Sequence, residues 1–377
     1  MFGKRIYLFK ILGFAVSIDI SWFVIAAVIT WSLAKGIFPA RFEGLSSQTY
    51  WLMGGVGALG LFGSIIFHEL CHSIVAKQYG MPMKGITLFI FGGVAEMSDE
   101  PPSPKAEFLM AIAGPISSVA LGIMFYFVWR IGSRGGWPVP INGVVRYLAW
   151  LNLMLAGFNM VPAFPLDGGR VLRSILWAVK KNLRWATRIA SQLGSWFGMF
   201  MIVIGVLDAI FLNDLWGGGW WFLLGMFLRR ASQMSYQQLV IRRGLEGESV
   251  RHFMRTGPVT VPPSISLSEL VENYFYRYHF RMFPVVQDGR LTGCITSKQV
   301  KDVPREQWSQ RTVAETAVPC SPHTTISPNA DAMQVLSLMN QTGNSSLMVV
   351  ENGLLVGIIT LKDMLKFLAL KIDLEKE

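Results

Sequence analysis

The pattern of apolar and polar residues divides the chain into a largely apolar part and a more polar C-terminal part. Up to about residue 230, long apolar stretches alternate with short polar segments. Each stretch approaches the roughly 20 residues that a helix needs to cross a bilayer. Six spans are predicted, at about 14–34, 51–76, 107–130, 143–161, 192–212 and 216–230. Asp19 weakens the first span and the last is short and rich in glycine, so five spans are the alternative.

Beyond about residue 245 the pattern changes to short apolar runs separated by charges and turn residues. The run from Phe283 to Thr296 matches the run from Leu347 to Thr360. Each copy has strand-forming residues on both sides of an Asp-Gly or Asn-Gly pair, which is typical of a tight hairpin. The pattern predicts a repeated unit of strand, turn, strand and helix.

Composition supports a membrane protein. Of the 377 residues 52% are hydrophobic, and the mean hydropathy is +0.41, which is too apolar for an ordinary soluble chain. The net charge of +10 comes from basic residues beside the spans, so lipid headgroups are the expected partner and no nucleic acid is expected. By the positive-inside rule, the N-terminus and the C-terminal part are predicted to be cytoplasmic, with the chain as a multi-pass protein of the cell membrane. The main basic residues are Lys4, Arg5, Lys10, Lys180, Lys181, Arg184, Arg188, Arg229 and Arg230.

The second span contains His68, Glu69 and His72 in the order His-Glu-Leu-Cys-His. Histidines at positions i and i+4 of a helix lie on one face at the separation of zinc ligands, and a glutamate between them can activate the attacking water. Two histidines on a helix with ordinary hydrogen-bond partners are the alternative. Ionisable side chains inside a membrane span cost about 2.5–3.5 kcal/mol each on insertion scales, which favours the metal interpretation.

A catalytic zinc usually takes three protein ligands, and the other three histidines lie after the last span. Asp167 is the best candidate for the third ligand. Two prolines before it end the fourth span, and Gly168 and Gly169 after it permit unusual backbone angles that could turn the carboxylate toward the core. The alternative is that Asp167 caps the helix that follows.

Four motifs on separate apolar segments resemble the site-2 protease family of intramembrane zinc metalloproteases, in the order in which that family has them. They are His68 to His72, Phe91-Gly92-Gly93, Ala113-Gly114-Pro115 and the segment from Asn159 to Asp167-Gly168-Gly169. The resemblance covers roughly residues 10–230. It implies a zinc endopeptidase that cuts transmembrane segments of other membrane proteins.

The resemblance also assigns roles to residues. It implies that His68, His72 and Asp167 hold Zn²⁺, that Glu69 is the general base, and that Asn159 helps to position the substrate carbonyl. In that family the region around residues 85–96 forms a re-entrant sheet, and such an edge could pair with an unwound substrate. A hairpin with only a packing role is the alternative. Gly114 and Pro115 are interpreted as residues that allow close helix packing or a kink in the third span.

The repeated C-terminal unit resembles a tandem pair of CBS domains, which often bind adenine nucleotides. In that family a threonine followed three residues later by an aspartate contacts the ribose, and Thr360 and Asp363 fit this pattern. The first repeat has Thr296 followed by Gln299, so at most one such site is expected. A structural role, with the CBS pair forming a dimer, is the other interpretation.

The predicted fold is therefore a polytopic α-helical membrane protein with about six transmembrane helices and a re-entrant β segment, followed by a soluble α/β CBS-pair domain. The expected domains are the membrane part at 1–231, a linker at 232–247, and CBS repeats at about 248–309 and 310–372 within 248–377. Two other functions stay open: a metal-binding scaffold without activity, and a transporter regulated by the CBS pair.

Overall fold

The computed structural model describes residues 5–81, 83–97 and 100–374. The chain divides into two compact units, Met1–Gln238 and Leu239–Glu377. The first unit is built from long helices and one small sheet, and the second from one larger sheet with short helices on it.

Seven helices of at least 14 residues belong wholly or mainly to the first unit. They are α1 (Ser21–Arg41), α2 (Ser47–Gln78), α3 (Pro104–Arg134), α4 (Val139–Asn159), α5 (Asp167–Lys180), α6 (Leu183–Phe211) and α7 (Leu215–Leu245). α7 is continuous through most of the segment 232–247 that the sequence suggested as a linker.

Among the described residues, five helices are long and apolar enough to cross a membrane: α1, α2, α3, α4 and α6. The sixth predicted span, 216–230, lies within α7, which is not among the five. The first predicted span was wrong at its start, because residues 14–19 form a strand and α1 begins only at Ser21. The carboxylate of Asp19 marks the boundary by accepting hydrogen bonds from the backbone N–H and the hydroxyl of Ser21.

The outer faces of these helices carry large apolar side chains that no other part of the described protein covers. Exposed examples are Leu52, Leu59, Phe127, Met154 and Trp196. Exposed apolar surface of this extent fits a hydrocarbon environment, where it faces lipid instead of water. The protein is an integral membrane protein.

A four-stranded sheet packs beside α1 and α2. Its strands are β1 (Arg5–Ile11), β2 (Phe14–Asp19), β3 (Met83–Phe89) and β4 (Gly92–Met97), in the order β1-β2-β3-β4. The β2–β3 pair is parallel and the other two pairs are antiparallel. The sequence predicted the β3–β4 segment but missed β1 and β2.

Apolar side chains from two strands and two helices join this sheet to the helices. Ile18 of β2, Leu88 of β3, Ile25 of α1 and Phe62 of α2 form one buried cluster. This packing places the hairpin between β3 and β4 against α2, on the stretch of helix that leads to the His68 motif.

The second unit has one seven-stranded sheet. Its strands are β5 (Arg255–Thr256), β6 (Met282–Gln287), β7 (Arg290–Thr296), β8 (Val318–Pro319), β9 (Thr325–Ile326), β10 (Ser346–Glu351) and β11 (Leu354–Thr360). The main path is β6-β7-β11-β10-β9, with β5 on β11 and β8 on β7. The helix that follows β7 is α8 (Ser297–Lys301), the helix that precedes β10 is α9 (Ala332–Thr342) and the helix that follows β11 is α10 (Leu361–Leu374). The other helical segments are Val250–His252, Leu267–Leu270, Val271–Phe275, Tyr276–Tyr278, Arg305–Gln307 and Val313–Thr316.

The predicted repeat is present in this unit. β6 and β7 form one hairpin and β10 and β11 form the other, each followed directly by a helix. At the two turns Asp288 and Asn352 have φ of 51° and 52°. Both turn residues tolerate this left-handed backbone, and each is followed by a glycine that adopts it without strain.

Candidate metal centre

His68 and His72 project from the same face of α2 into the protein. Both are buried, with relative exposures of 3% and 8%, and their Nε2 atoms lie 3.1 Å apart. A histidine pair one helical turn apart reaches this proximity because side chains at i and i+4 lie one above the other.

The other nitrogen of each imidazole is engaged by α3. Nδ1 of His72 donates to the backbone carbonyl oxygen of Met110 over 2.6 Å, and Nδ1 of His68 lies 2.8 Å from the hydroxyl of Ser118. Such partners fix the orientation of the ring and leave Nε2 free to bind a metal.

Asp167 comes to the same point from α5, of which it is the first residue. Its Oδ2 lies 3.0 Å from Nε2 of His68 and 3.2 Å from Nε2 of His72. The residue before α5, Leu166, makes no side-chain capping bond, and the Asp167 carboxylate is directed at the histidines. The helix-cap alternative therefore does not describe its contacts.

The three side chains bring electron pairs together. A carbonyl oxygen can only accept, so the proton of neutral His72 is on Nδ1 and its Nε2 carries a lone pair; the Ser118 hydroxyl can accept from His68 in the same way. The carboxylate of Asp167 is a third acceptor, and all three ligand atoms lie within 4.8 Å of one another. A bound cation would satisfy all three, and two imidazole nitrogens with one carboxylate oxygen are a donor set that zinc prefers.

Gly114 of α3 leaves room beside these atoms. A Cβ on Gly114 would lie 2.5 Å from Nε2 of His68 and closer still to Nε2 of His72. The sequence suggested helix packing or a kink for this residue, whereas the structure shows that its missing side chain opens the space next to the donor atoms.

The two glycines after Asp167 allow the backbone of α5 to lie close to the backbone of the preceding loop. Neither has a positive φ, so the expectation of unusual backbone angles was wrong. A Cβ on Gly168 would overlap the carbonyl of Met160, and one on Gly169 would overlap the backbone at Ala163 and Phe164. The start of α5 therefore packs directly on the loop that follows α4.

A buried ion pair fastens α5 to α3. Nε of Arg173 donates to Oε1 of Glu107 over 2.6 Å, and Nη2 of Arg173 contacts the same oxygen and lies 3.4 Å from Oε2 of Glu100. Glu107 is fully buried and Arg173 is 4% exposed. α5 carries Asp167, and α3 carries the partners of both histidines. The Glu107–Arg173 ion pair therefore holds together two helices beside the donor cluster, which is formed by His68, His72 and Asp167.

Glu69 and Asn159 line a cavity of about 640 Å³ together with His68 and Asp167. Glu69 is half-buried. It is absent from the group of converging donors found among the described residues, and Asn159 is the last residue of α4. The structure therefore brings four of the five residues predicted for the membrane site to one cavity. The fifth, His72, converges with His68 and Asp167.

The hairpin of β3 and β4 forms another wall of this cavity, through Phe89, Ile90, Phe91, Gly92 and Gly93. β4 is an edge strand of its sheet. A Cβ on Gly93 would lie 2.9 Å from Cγ of Glu69, so the glycine lets the strand approach the glutamate closely.

Asn152 is on the same helix as Asn159 but does not line this cavity. Its Nδ2 donates to the hydroxyl of Ser64 over 3.0 Å and to the carbonyl of Leu148. Asn152 therefore joins α4 to the neighbouring helix α2.

In the second unit, Thr360 and Asp363 contact each other at the start of α10. The hydroxyl of Thr360 donates to Oδ2 of Asp363 over 2.6 Å, and Nε of Arg255 donates to Oδ1 of Asp363 over 2.9 Å. Partial burial alone would raise the pKa of Asp363, but the bonds from Arg255 and Thr360 outweigh it and the pKa lies below its ordinary value. The carboxylate stays charged at neutral pH, and its stabilising contribution is lost only as the pH falls through that lowered pKa.

A cavity of about 560 Å³ lies beside this pair. Its lining includes Thr360, Arg255, Arg281, Lys362 and His279. Among the described residues that line it there is no carboxylate, so the cavity favours an anion. In the first repeat Gln299 occupies the position of Asp363, and its Oε1 accepts from the backbone N–H of Thr296 over 2.6 Å as a helix cap.

Sequence reasoning missed Ser118, the Met110 carbonyl, Arg173 and Glu107. The signals were weak: Ser118 follows Gly114-Pro115 by three residues, and Glu107 is a carboxylate at the edge of a predicted span. Neither signal identifies the helix that the side chain contacts.

Comparison with known proteins also divides the chain into an N-terminal and a C-terminal part, each matched by a different family model. The model of peptidase family M50 matches residues 56–134 and 138–204. The model of the CBS domain matches residues 250–306 and 314–370.

Similar proteins cover almost the whole chain. A zinc metalloprotease of Methanocaldococcus jannaschii is 30% identical over 99% of this chain and 98% of its own length. A Synechocystis protein whose name also describes a zinc metalloprotease is 33% identical over 95% of this chain and 94% of its own. Among solved structures, the site-2 protease from Methanocaldococcus jannaschii is 31% identical, with a TM-score of 0.44, and covers 62% of this chain and 95% of its own.

Proposed function

Because the chain belongs to peptidase family M50, the site-2 protease family of zinc metalloendopeptidases, we propose that it cuts transmembrane segments of other membrane proteins within or at the edge of the bilayer. The observation that carries this proposal is the convergence of Asp167 with His68 and His72 of the membrane helix α2, beside a cavity that His68 and Asp167 line. Ionisable side chains inside a membrane are costly to bury, so their presence indicates a functional site.

In this proposal His68, His72 and Asp167 hold Zn²⁺. Their donor types fit that ion, both Nδ1 atoms are engaged elsewhere, and Gly114 leaves space beside the Nε2 atoms. When bound, zinc polarises the scissile carbonyl and lowers the pKa of the attacking water.

Glu69 is the proposed general base. It lies between the two histidines in sequence and lines the same cavity without joining the donor cluster, so its carboxylate is available to accept the proton of the attacking water. The proton can then pass to the leaving amine. Asn159, at another wall of the cavity, has an amide N–H₂ that can donate to the substrate carbonyl oxygen as negative charge develops there.

The edge strand β4 supplies a way to present substrate. A peptide bond inside a helix is shielded by its neighbours, and an extended peptide can add to a free strand edge by main-chain hydrogen bonds. β4 begins at Gly92 and Gly93, which line the cavity beside Glu69. We therefore propose that an unwound stretch of the substrate pairs with β4.

The test is cleavage of a labelled single-span membrane protein by purified, zinc-loaded protein in liposomes. Cleavage that is abolished by a zinc chelator, restored by added zinc and lost in Glu69→Gln supports the protease. Zinc binding without cleavage of any member of a substrate panel favours a scaffold, and solute flux across the liposome that does not depend on Glu69 favours a transporter.

The basic cavity beside Thr360 and Asp363 supports an adenine nucleotide as ligand of the CBS repeats at about 248–309 and 310–372. Phosphates would meet Arg281 and Lys362, and the ribose would meet the Thr360–Asp363 pair. Such a ligand could modulate cleavage only through a difference in affinity between two states of the protein.

We further propose that the N-terminus and the CBS pair are cytoplasmic, that the membrane domain is 1–231, and that the CBS pair forms a dimer.

A further inference from the structure

A second cavity, of about 510 Å³, adjoins the one that contains the donor cluster. The two cavities share part of their lining, including Ile65 of α2, Phe158 of α4, Leu224 of α7 and the turn from Phe89 to Gly92. They are therefore neighbouring compartments along one wall.

The two compartments differ in chemistry. The metal compartment is lined by Glu69, Asp167 and Asn159, whereas the second is lined by apolar side chains of α1, α2 and α4, such as Ile25, Phe62 and Leu151. Among the described residues that line the second compartment none is charged, and the side chains with a polar atom are Ser32, Tyr147 and Trp220. A compartment of this kind selects an occupant by size and apolar character.

The turn between β3 and β4 connects this compartment to a strand edge. Gly92 opens β4 with a φ of 132° and has no atom within 4 Å of its Cβ position, so the backbone there is uncovered on that side. A peptide paired with β4 would place successive side chains on opposite faces and advance about 3.3 Å per residue. Side chains one or two residues from a bond held at the donor cluster can therefore reach the second compartment.

We propose that the second compartment is a specificity subsite that takes a bulky aliphatic or aromatic side chain of the substrate next to the scissile bond. This rests on the proposed protease function and adds the substrate class: transmembrane segments with a large apolar residue at one fixed distance from the cut. The continuity with the metal compartment argues for a substrate side chain over a lipid chain as the occupant.

Peptide hydroxamates test this directly, because the hydroxamate binds zinc and the neighbouring side chain can be varied from alanine to leucine to phenylalanine. Binding to the zinc-loaded protein in detergent is measured by calorimetry, so no cleavage is required. We expect affinity to rise about tenfold or more from alanine to phenylalanine, as burial of a large apolar side chain predicts.

Two variants of α1 make the matched pair. Val28 lines the subsite, and Val24, one turn away on the same helix, is exposed and does not line it. Val28→Trp should remove most of the preference for large side chains while zinc content stays the same, and Val24→Trp should keep it. Trp220→Ala enlarges the subsite and should improve binding of a hydroxamate with a tryptophan side chain, a gain that misfolding cannot produce.

The outcomes separate the two proposals. If the protein binds no zinc, or binds hydroxamates equally well without zinc, the proposed function fails. The subsite proposal fails if binding depends on zinc but the affinity is the same for every side chain in the series. It also fails if Val28→Trp does not change these affinities. In either case the compartment is a lipid-filled space.

Discussion

Gly114 of α3 lies against the imidazole of His72, so closely that a Cβ at position 114 would overlap Nε2 of the ring. The glycine and the histidine belong to different helices, and their contact sets how much space remains in front of the proposed metal ligands. The smallest possible substitution at Gly114 is therefore a sensitive test of the site.

Gly114→Ala should lose most bound zinc and, with it, cleavage, because the added methyl group occupies the space beside both Nε2 atoms. Metal analysis of the purified protein measures this. Gly63→Ala is the control, since Gly63 lies on the histidine helix with no atom within 4 Å of its Cβ position. Normal zinc content in Gly114→Ala would contradict the proposed geometry.

Glu69→Gln should keep zinc and lose most cleavage, because an amide of the same shape cannot accept the proton of the attacking water. Zinc content and turnover of a labelled substrate are measured on the same preparation. Zinc loss in proportion to activity would make Glu69 a ligand, and near-normal turnover would remove it from the mechanism.

Asp167→Ala should abolish both zinc binding and cleavage if the carboxylate is the third ligand. The matched control is Asp214→Ala, because Asp214 makes a true helix-capping bond to the backbone N–H of Gly217. Loss of a cap costs about 1 kcal/mol of stability and should leave the metal in place. If the two variants behave alike, Asp167 is no ligand.

Ser118→Ala should weaken zinc binding by about 10- to 100-fold, the usual effect of losing a partner that orients a metal-binding histidine. A competition titration with a zinc-binding dye gives the affinity. Ser117→Ala provides the comparison, since the hydroxyl of Ser117 donates to the carbonyl of Gly114 in its own helix. Equal affinities in the two variants would show that Ser118 does not orient His68.

Asp363→Ala should weaken adenine-nucleotide binding to the full-length protein and remove any effect of the nucleotide on cleavage, with zinc content unchanged. Calorimetry measures the binding, and Gln299→Ala is the control in the other repeat, where the side chain caps α8. No binding at millimolar nucleotide, together with unaltered cleavage after deletion of residues 248–377, would leave the CBS pair with an assembly role.

The sequence could predict what depends on local spacing. His68 and His72 are one turn apart on a single helix, and the two hairpin turns of the CBS unit carry their Asp-Gly and Asn-Gly signals in adjacent residues. Local spacing did not identify Asp167, which was predicted as the best remaining carboxylate and from the family resemblance, because its approach to the histidines depends on how α5 packs.

Features that depend on contacts between distant segments were missed. The run from Phe14 to Ile18 is as apolar as the start of α1, so hydropathy cannot separate the strand from the helix that follows it. Glu107 and Arg173 join two helices although the residues are 66 positions apart in sequence, and neither residue indicates the other by its type or spacing.

The proposed ligands are also far apart in the chain, with 99 positions between His68 and Asp167. During synthesis His68 and His72 enter the membrane first, and the third ligand arrives only after α3 and α4 have been made. With the proposed ligand set, a chain that has been made only as far as α4 has two of the three ligands that a catalytic zinc usually takes. The proposal therefore predicts that proteolytic activity begins only after α5 has been made and has packed against α3.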